Sequence, residues 1–578
     1  MGLADRREEL DGMVERDQVV DVVVIGSGYG AGVCAARLAE AGAKVCVLER
    51  GREFTAGQFP STLSGIVDNL QLDNAWFGRG HRLGLYNCHV GADLDVLVGC
   101  GLGGTSLINA NVTIKPDARV FDQDVWPDEI RAEASDGTLD RYFARAWSVL
   151  DPAPFPSAER TPRKLAAMED NGATRCAINV HFDRGRKTNS IGVPQRACTS
   201  CGDCVTGCNK GAKKTLCFTY LPIAKSFGAK IFVQCDVRHL ARRGELWEIH
   251  FQQLATGAEQ VKPTHKLRAR TVIVAAGVMG TTGILLRSRD EISLSRALGA
   301  RFSGNGDAIA FAYNCEDRLD SVGTGARRAR RHPTGATILG VIDHRPADRP
   351  LEHGIIIEEG AFPSGTAAVL RTALEVVASA FGEDTQRGFL HHLREWLAEA
   401  RDLFGLGTAH GALNRTLLFL LMGHDGARGT VELDGRGQAR VRWPDLHRLP
   451  LFDAENELAR ALAERLRGLF VKDPLDTRVF MNNLITVHPL GGCAMGANGA
   501  AAVDHAGRVR ADDGSVQPGL YAADASVIPT SLGVNPLWTI TALAERIAAH
   551  VVTDLGLAPS LAAVRASTTL KPGVEVQP

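Results

Sequence analysis

Residues 19–51 read VVDVVVIGSGYGAGVCAARLAEAGAKVCVLERG. The first seven are β-branched at all positions but one, which predicts a parallel strand, Val19–Ile25, buried on both faces. A glycine-rich turn leads into a small-residue helix, which Gly42 ends. Residues 44–48 form the next strand and deliver Glu49 to its carboxyl end. The order strand, turn, helix, strand predicts the first βαβ unit of a Rossmann-like fold.

The turn between strand and helix reads GSGYGA and has the spacing of a phosphate-binding loop. Gly26 permits the tight turn, Gly28 lets the backbone approach a pyrophosphate, and Ala31 takes the third small position, where helix and strand pack closely. Gly30 lies inside the same loop. The phosphates would lie at the helix N-terminus, and Glu49, about 20 residues further on, would bind an adenosine ribose. This context predicts a bound dinucleotide but does not separate FAD from NAD.

The composition is that of a large globular protein without a strong net charge. At 578 residues the chain is long enough for two large domains or one elaborated domain. Its 65 basic and 66 acidic residues give a net charge of -1, which provides no general attraction to nucleic acid or to an anionic membrane. One local basic cluster is either a solvated loop or a docking patch for an acidic electron-transfer partner: Arg327, Arg328, Arg330 and Arg331.

Neither export nor membrane insertion is expected. Residues 1–17 are charged and contain no apolar segment typical of a secretion signal, and no run approaches the roughly 18 apolar residues of a membrane span. The 13 cysteines are odd in number and fit a reducing compartment better than a disulfide framework. The sequence therefore predicts a cytoplasmic protein with no membrane span and no nucleic-acid partner.

A second glycine-rich segment, GCGLGGTSLINAN, occupies residues 99–111 after a short apolar run. Backbone N–H groups freed by so many glycines are suited to line a flavin or its phosphates. A loop that is only flexible is the alternative. The candidate cofactor-binding residues of this segment are Gly103, Gly104, Ser106 and Asn109.

Four cysteines form a CxxCxxCxxxC run: Cys198, Cys201, Cys204 and Cys208. This is the spacing of the bacterial ferredoxin run, in which close thiolates bind an iron–sulfur cluster. Asn209 stands where proline is usual, and two-cluster ferredoxins use the fourth cysteine for the other cluster. The run predicts an iron–sulfur cluster of 4Fe-4S or 3Fe-4S type, with structural zinc or redox-active thiols as the alternatives.

The middle of the chain returns to strands and then changes character. Strands are predicted at 230–234, 246–251 and 271–275, followed by a helix through Leu286, and they lead back to the nucleotide-binding sheet. Residues from about 300 to 470 form a block of different composition. Within it, strand-like segments predict a second sheet: 355–357, 430–433 and 439–443.

The same block contains one long amphipathic pattern. Apolar residues between Phe389 and Phe404 recur at helical spacing and predict an amphipathic helix. Core packing is its default role. A lid over an apolar substrate and a membrane-surface helix are the alternatives.

The region from residue 486 onward contains the most candidate functional residues. Three motifs follow one another there: HPLGG at 488–492, GLYAADAS at 519–526 and GVNPLWTITALAERIA at 533–548. The last motif begins a helix predicted to span 537–555. With GSGYGAG at 26–32 and the second glycine-rich segment, five motifs stand in one order. Together they resemble the glucose-methanol-choline (GMC) flavoprotein oxidoreductases, and within them the bacterial cholesterol-oxidase-like branch. The resemblance covers most of the chain.

The resemblance implies FAD as the cofactor and an α/β fold of two domains. A Rossmann-like FAD-binding domain would be joined to a substrate domain of sheet and helix. The expected parts are 1–300 as the first part of the FAD-binding domain, which carries the cysteine run 198–208; 301–475 as the substrate-binding domain; 476–558 as the closing part with the catalytic residues; and 559–578 as a disordered tail.

The resemblance also assigns roles to single residues. In the family, a hydride passes from the carbinol carbon of an alcohol to flavin N5 as the hydroxyl proton leaves. His488 occupies the position of the family base, and a histidine suits this task because its pKa lies near neutrality. Asn535 matches the asparagine that hydrogen-bonds substrate or flavin. The other implied cofactor residues are Asp524 near the flavin phosphates and ribityl chain, Glu49 at the ribose, Val237 at the adenine, and Pro536.

Further roles follow from the same resemblance. Cholesterol oxidases use a glutamate to move a proton during double-bond isomerisation, for which Glu358 or Glu359 is the candidate, although two acids at a strand end are by default partly solvated. Some family members attach the flavin to a histidine upstream of the second glycine-rich segment, where His81 and His89 lie. The cysteine run resembles CxxCGxCxxGCxxGAK of larger intracellular members. A cluster there would accept electrons singly from reduced FAD.

These observations predict an FAD-dependent dehydrogenase that oxidises a small apolar alcohol, with a sterol among the candidates. Its electrons would leave through the iron–sulfur cluster to an acceptor protein. The alternatives are an oxygen-using oxidase with structural cysteines and a non-catalytic electron-transfer flavoprotein. His488 and Asn535 argue against the electron carrier, which needs no alcohol-activating pair, and against a family member that acts by light-driven radical chemistry.

Overall fold

The computed structural model describes residues 2–73, 78–80, 82–254, 264–325, 332–381, 411–473, 484–497 and 501–558. Four sequence predictions lie outside these residues. They are the amphipathic helix between 389 and 404, the basic cluster at 327–331, His81, and the tail from 559 onward.

An eight-stranded sheet carries the predicted βαβ unit. Its strands are β1 Val19–Ile25, β2 Val45–Leu48, β8 Lys230–Phe232, β9 Cys235–Arg243, β10 Leu246–Gln253, β11 Thr264–Val274, β20 Arg508–Arg510 and β21 Val516–Ala522. The order is β20-β21-β11-β1-β2-β8, with β10 paired to both β11 and β9. β21, β11, β1, β2 and β8 run parallel, so their carboxyl ends meet at one edge, where open α/β sheets bind ligands.

A six-stranded sheet forms the second layer of the fold. It contains β7 Thr174–Arg175, β12 Ala308–Tyr313, β13 Gly340–His344, β14 Ile355–Gly360, β15 Leu417–Met422 and β18 Leu469–Lys472, in the order β18-β12-β15-β14-β13-β7. All its pairings are antiparallel. β14 is buried along its whole length, so both of its faces are available for packing or for a site.

Two smaller sheets complete the strand inventory of the described residues. A five-stranded sheet joins β3 Leu70–Asp73, β4 Gly78–Gly80, β5 Tyr86–His89, β6 Leu94–Gly99 and β19 Leu484–Thr486, and a hairpin pairs β16 Thr430–Leu433 with β17 Ala439–Arg442. β19 pairs with β6. This pairing brings the segment before His488 beside the strand that enters the second glycine-rich segment.

The helices connect and cover these sheets. They are α1 Arg7–Glu15, α2 Tyr29–Glu40, α3 Leu63–Asp68, α4 Arg119–Asp122, α5 Asp128–Ser135, α6 Thr138–Leu150, α7 Arg163–Glu169, α8 Tyr220–Ser226, α9 Gly277–Arg287, α10 Ala367–Phe381, α11 Pro450–Arg465 and α12 Leu537–Asp554. α2 packs between α8 and α12. A buried ion pair of Arg37 with Glu545 ties α2 to α12, with Nη2 to Oε1 at 2.7 Å.

Two predictions about strands were wrong. The predicted strand 230–234 ends at Phe232, because Gln234 has a left-handed φ of 63° and turns the chain into β9, so Val237 lies inside a strand. The three segments expected in a second sheet do not share one. Residues 355–360 belong to the six-stranded sheet, whereas 430–433 pairs only with 439–442, across a short hairpin.

Among the helices of the described residues, none combines the length and the apolar character needed to cross a membrane.

Candidate active site

One long cavity opens at the carboxyl edge of the parallel strands. β1 delivers the first glycine turn to its wall, β2 delivers Glu49, β11 leads to Ala275 and α9, and β21 leads to Asp524. The wall continues through the second glycine-rich segment to His488 and Asn535. The fold therefore gathers residues from at least seven separate stretches of the chain around one space.

The glycines of the first turn have three different reasons to be glycine. Gly26 has a φ of 100°, and a Cβ there would lie 2.3 Å from the carbonyl oxygen of Ala275. A Cβ at Gly30 would lie 1.7 Å from the carbonyl oxygen of Ala523. A Cβ at Gly28 would meet nothing within 4 Å, so this residue keeps space open at the N-terminus of α2, where unpaired N–H groups favour an anion.

Ala31 does not line the cavity, although it was predicted among the binding residues. It is fully buried within the core behind the turn. At the neighbouring Gly30, a Cβ would collide with the carbonyl oxygen of Ala523, so helix backbone and strand end also approach closely there. Ala31 therefore supports the loop by packing.

Glu49 lies at the cavity wall and is held by two donors. Ser27 Oγ donates to its Oε2 at 2.6 Å, and the backbone N–H of Gly51 donates to its Oε1 at 2.7 Å. Burial raises the pKa of Glu49, and the Ser27 and Gly51 donors oppose that rise. These bonds fix the orientation of the carboxyl group, and each oxygen keeps a further lone pair for a ligand hydroxyl.

The second glycine-rich segment packs directly on the first. A Cβ at Gly104 would lie 2.9 Å from the Cα of Gly28, and the N–H of Gly103 donates to Ser27 Oγ at 2.9 Å. Gly104 and Asn109 line the cavity, whereas Gly103 and Ser106 do not. Ser106 bonds behind the wall, because its Oγ donates to the carbonyl of Gly103 at 2.6 Å.

Asp524 closes the opposite wall. Its Oδ2 accepts from the N–H of Gly277 at 2.8 Å and from Thr281 Oγ1 at 2.5 Å, and its Oδ1 accepts from the N–H of Ser526 at 2.8 Å. Burial raises the pKa of Asp524, against the effect of these donors. The residue therefore joins the end of β21 to the first turn of α9 at the cavity.

His488 is paired with a carboxylate that the sequence did not single out. His488 Nδ1 lies 2.8 Å from Asp307 Oδ1. Asp307 Oδ2 accepts from Thr486 Oγ1 at 2.9 Å, from Val487 N–H at 2.8 Å and from His488 N–H at 3.1 Å. A carboxylate only accepts hydrogen bonds, so Nδ1 carries the proton and Nε2 keeps its lone pair.

The electrostatics of this pair suit a base. Burial alone would lower the pKa of His488, but the Asp307 carboxylate raises it, and the net pKa lies above the ordinary value. Asp307 is 4% exposed. A buried carboxylate on Nδ1 stabilises the imidazolium that forms when Nε2 takes up a proton.

Asn535 lines the cavity, and Glu358 contacts it from β14. Asn535 Nδ2 donates to Glu358 Oε2 at 3.2 Å, and Asn535 Oδ1 and Glu358 Oε1 have no hydrogen-bond partner among the described residues. Burial raises the pKa of Glu358 to about 8. A carboxyl group with this pKa is mostly protonated at neutral pH and can exchange its proton near that pH.

Glu359 points to the other face of β14 and has a different task. Its Oε1 lies 2.8 Å from Lys164 Nζ in an ion pair whose side chains are both 0% exposed. Both of its oxygens also accept from the N–H of Leu339 at 3.1 Å. Of the two adjacent glutamates, the structure brings only Glu358 to Asn535 and His488, because neighbouring residues of a strand face opposite sides.

Asn305, two residues before Asp307, ties the catalytic elements together. Its Oδ1 accepts from the N–H groups of Leu532 and Gly533 at 2.8 and 3.0 Å, and its Nδ2 donates to the carbonyl of Val534 at 2.9 Å. The turn around 303–307 therefore holds both His488 and the loop that precedes Asn535. Sequence reasoning missed Asn305 and Asp307, because they lie in a block without a recognised motif.

The cysteine run surrounds a second, smaller cavity. All four predicted ligands line it, together with Lys213. Lys213 Nζ donates to the carbonyl of Asn109 at 2.6 Å and to that of Cys204 at 3.1 Å, so one buried side chain joins both cavities. Asn209, which replaces the usual proline, holds residues 57–59 through three hydrogen bonds of its side chain.

The four thiols do not form a metal-binding group in this structure. No cluster of three or more His, Cys, Asp or Glu side chains within the described ranges could hold a metal ion, and all 13 cysteines are free. Burial raises the pKa of the Cys198 and Cys201 thiols, and the neighbouring sulfurs of the run raise it further. The predicted iron–sulfur site is not shown.

The residues of the large cavity fit a dinucleotide with a polar ring system. Gly28 leaves room at a helix N-terminus, and buried amide atoms of Asn109, Asn111 and Asn535 lack partners among the described residues. The predicted site residues in its wall are Gly26, Gly28, Gly30, Glu49, Gly104, Asn109, Val237, His488, Asp524, Asn535 and Pro536. His89 also lines it, and burial together with Arg50 and Arg440 lowers its pKa to about 3.

Comparison with known proteins shows the family of the chain. The GMC oxidoreductase family models for the N- and C-terminal regions match residues 39–290 and 426–544. A cholesterol oxidase of Mycobacterium tuberculosis is 29% identical over 558 residues, which cover 91% of this chain and 90% of that protein. A cholesterol oxidase of Acinetobacter baumannii is 27% identical, with 92% of this chain and 94% of the relative covered.

A solved structure agrees with the fold. A fungal aryl-alcohol oxidase superposes with a TM-score of 0.56 at 16% identity, covering 93% of this chain and 99% of that one. The predicted two-domain GMC fold and the resemblance to the cholesterol-oxidase-like branch are confirmed. The chain belongs to the GMC oxidoreductase family and is an FAD-dependent alcohol oxidoreductase.

Proposed function

We propose that the protein is an FAD-dependent dehydrogenase for an apolar alcohol, with a sterol as the first candidate. The observation that carries this proposal is that His488 and Asn535 line the cavity, with Asp307 hydrogen-bonded to His488 and Glu358 hydrogen-bonded to Asn535. The two cholesterol oxidases among the relatives support a sterol. The remaining parts of the proposal are an iron–sulfur cluster as electron exit, an acceptor protein and a cytoplasmic location.

The chain's own residues supply binding and proton transfer. The first glycine turn, Glu49 and Asp524 would hold the dinucleotide, and FAD, when bound, accepts the hydride of the alcohol. His488 Nε2 is free to take the hydroxyl proton, since Nδ1 is committed to Asp307. Asn535 Oδ1 and Nδ2 would orient the same hydroxyl group, because the oxygen has no partner among the described residues.

Glu358 favours a second activity on a sterol product. Its pKa of about 8 makes the ionised form a stronger base than an ordinary carboxylate. It lies within hydrogen-bond reach of Asn535, close to where the oxidised carbon would sit. We therefore propose that Glu358, and not Glu359, moves the proton in any double-bond isomerisation.

The dehydrogenase mode rests on the cysteines alone. Their CxxCxxCxxxC spacing and their common cavity support a cluster, whereas the described side chains do not form a ready site for a single ion. Free cysteines throughout the chain agree with a reducing compartment. No catalytic step is derived through the cluster.

The first test is the iron, acid-labile sulfide and flavin content of protein purified without oxygen. Iron and sulfide in several-fold excess over flavin support the relay. Cys204→Ser should remove both, whereas Cys315→Ser, a buried cysteine in another core, should keep them. Flavin without iron in the wild type would refute the relay and leave an oxygen-using oxidase.

The second test concerns the alcohol-activating pair. His488→Ala and Asn535→Ala should retain flavin and lose its reduction by apolar alcohols under anaerobic conditions. His447→Ala, an exposed histidine away from the cavity, is the control. Unchanged reduction rates in the first two variants would overturn the proposed mechanism.

A further inference from the structure

Asn111 combines two unfavourable features at one position of the cavity wall. Its φ is 69°, in the left-handed region that a non-glycine residue rarely adopts. Its side chain is 1% exposed, and neither Oδ1 nor Nδ2 has a hydrogen-bond partner among the described residues. Strained backbone and an unpaired buried amide are both costly, and such strain clusters at functional sites.

The backbone around Asn111 is firmly placed. Its carbonyl accepts from the N–H of Asn179 at 3.0 Å. The neighbouring Asn109 differs, because its Nδ2 donates to Tyr29 Oη at 2.9 Å. The fold thus fixes the main chain of Asn111 at the cavity while leaving its whole amide available.

The chemistry of the free amide selects among the ligands of this cavity. An amide offers two donors and one acceptor. A pyrophosphate only accepts, so it would leave Oδ1 unpaired. An apolar alcohol has one hydroxyl group, for which His488 and Asn535 already compete. A flavin ring alternates carbonyl acceptors with a ring N–H along its pyrimidine edge and can satisfy both ends of one amide.

We propose that Asn111 positions the flavin ring by hydrogen-bonding its pyrimidine edge. The inference rests on the proposed FAD site and gives a role to the last residue of the second glycine-rich segment, which is not among the candidate binding residues named for that segment. Asparagine tolerates the left-handed backbone better than most residues, but glycine would fit it without a buried amide that needs partners.

The test separates the effect of losing the side-chain amide from the effect of changing the backbone conformation. Asn111→Gly removes the amide and suits the positive φ, and Asn111→Asp keeps the size but replaces the donors by a carboxylate. Asn314→Gly is the matched control, since Asn314 is buried, has a φ of 50° and does not line the cavity. The readouts are the FAD dissociation constant of apoprotein prepared from the holoenzyme, the flavin absorption spectrum and midpoint potential, and the melting temperature of the apoprotein.

Asn111→Gly is expected to weaken FAD binding about three- to tenfold, the loss of one or two hydrogen bonds, and to shift the flavin spectrum. Its apoprotein should melt at or above the wild-type temperature. Asn111→Asp should lower the midpoint potential, because a negative charge disfavours the reduced flavin. An unchanged FAD dissociation constant and an unchanged flavin spectrum in Asn111→Gly would overturn the inference. It would fail equally if this variant lost apoprotein stability and kept the wild-type FAD binding and spectrum. Wild-type protein that binds no FAD would refute the proposed function itself.

Discussion

Replacing Asp307 by asparagine should disable the base while keeping the fold. Three donors converge on Oδ2 of Asp307: Thr486 Oγ1 and the N–H groups of Val487 and His488. The amide oxygen of asparagine will take that position, because the amide nitrogen cannot accept these bonds. The amide nitrogen then faces His488 Nδ1 and donates to it. This forces the ring proton onto Nε2 and removes the lone pair that accepts the alcohol proton.

The expected loss of rate follows from the proposed role of His488 as a general base. A positioned general base contributes about 10²- to 10⁴-fold, which corresponds to roughly 2.7–5.4 kcal/mol of activation free energy. The pH dependence should change as well. In the wild type the rate rises with pH through the pKa of His488, which Asp307 holds above its ordinary value of 6.5. Without the Asp307 carboxylate, burial still lowers the pKa of His488 and only Glu358 still raises it, so any remaining acid limb should move to lower pH.

Anaerobic stopped-flow reduction of the bound flavin by the best apolar alcohol measures this loss directly. The pH profile should be recorded for wild type and Asp307→Asn, with flavin content confirming an intact site. Asp504→Asn is the control, because this carboxylate is also buried but accepts from Ala506 and Arg508 away from the cavity. A rate within threefold of wild type and an unmoved acid limb would refute the proposed role of Asp307.

Three further outcomes are expected. Lys164→Met should lower the free energy of unfolding by about 3–5 kcal/mol, because it leaves Glu359 buried without its cation; the double variant with Glu359→Leu should recover most of it in denaturant titrations. Gly28→Ala should fold normally and lose FAD. Gly30→Ala should fail to fold, since its Cβ would lie 1.7 Å from a carbonyl oxygen. Equal flavin content in the two purified variants would contradict this prediction. The pKa of Glu358 is raised from 4.5 to about 8 in the folded state, so the folded protein binds one proton more than the unfolded chain between these pH values. As pH rises through this range, the wild-type apoprotein should therefore lose stability relative to Glu358→Gln. Parallel plots of unfolding free energy against pH for the two proteins would show that the shift is absent.

The Rossmann-like half of the protein was predictable because its signals are local. Strand β1 begins and ends at the predicted residues. Gly26 and Gly30 each stand where a Cβ would collide with a carbonyl oxygen, and Gly28 leaves open space at the start of α2. Asp307 was not predictable, since its partner lies 181 residues away in sequence and nothing around it forms a recognised motif. The choice between Glu358 and Glu359 also required the structure. Strand alternation shows that the two side chains face opposite sides of β14, but it does not show which side faces Asn535 and His488.

The assignment of three segments to one second sheet was wrong for a related reason. Short β-branched stretches show that strands exist, but their partners depend on contacts across long sequence distances. Thr430–Leu433 pairs with the adjacent strand of its own hairpin, whereas Ile355–Gly360 pairs with residues 340–344 and 417–422.

The position of β21 within the parallel sheet has a consequence for biosynthesis. This strand, residues 516–522, pairs with β11 and leads to Asp524 in the cavity wall, while α12 packs against α2. Chains are made from the N-terminus and their domains tend to fold as units in that order, yet here the first βαβ unit awaits partners translated almost 500 residues later. A nascent chain therefore exposes the apolar edge of β11 until β21 emerges, and the cofactor can be loaded only after that. Asp524 follows β21, so this part of the cavity wall is also among the last to be made.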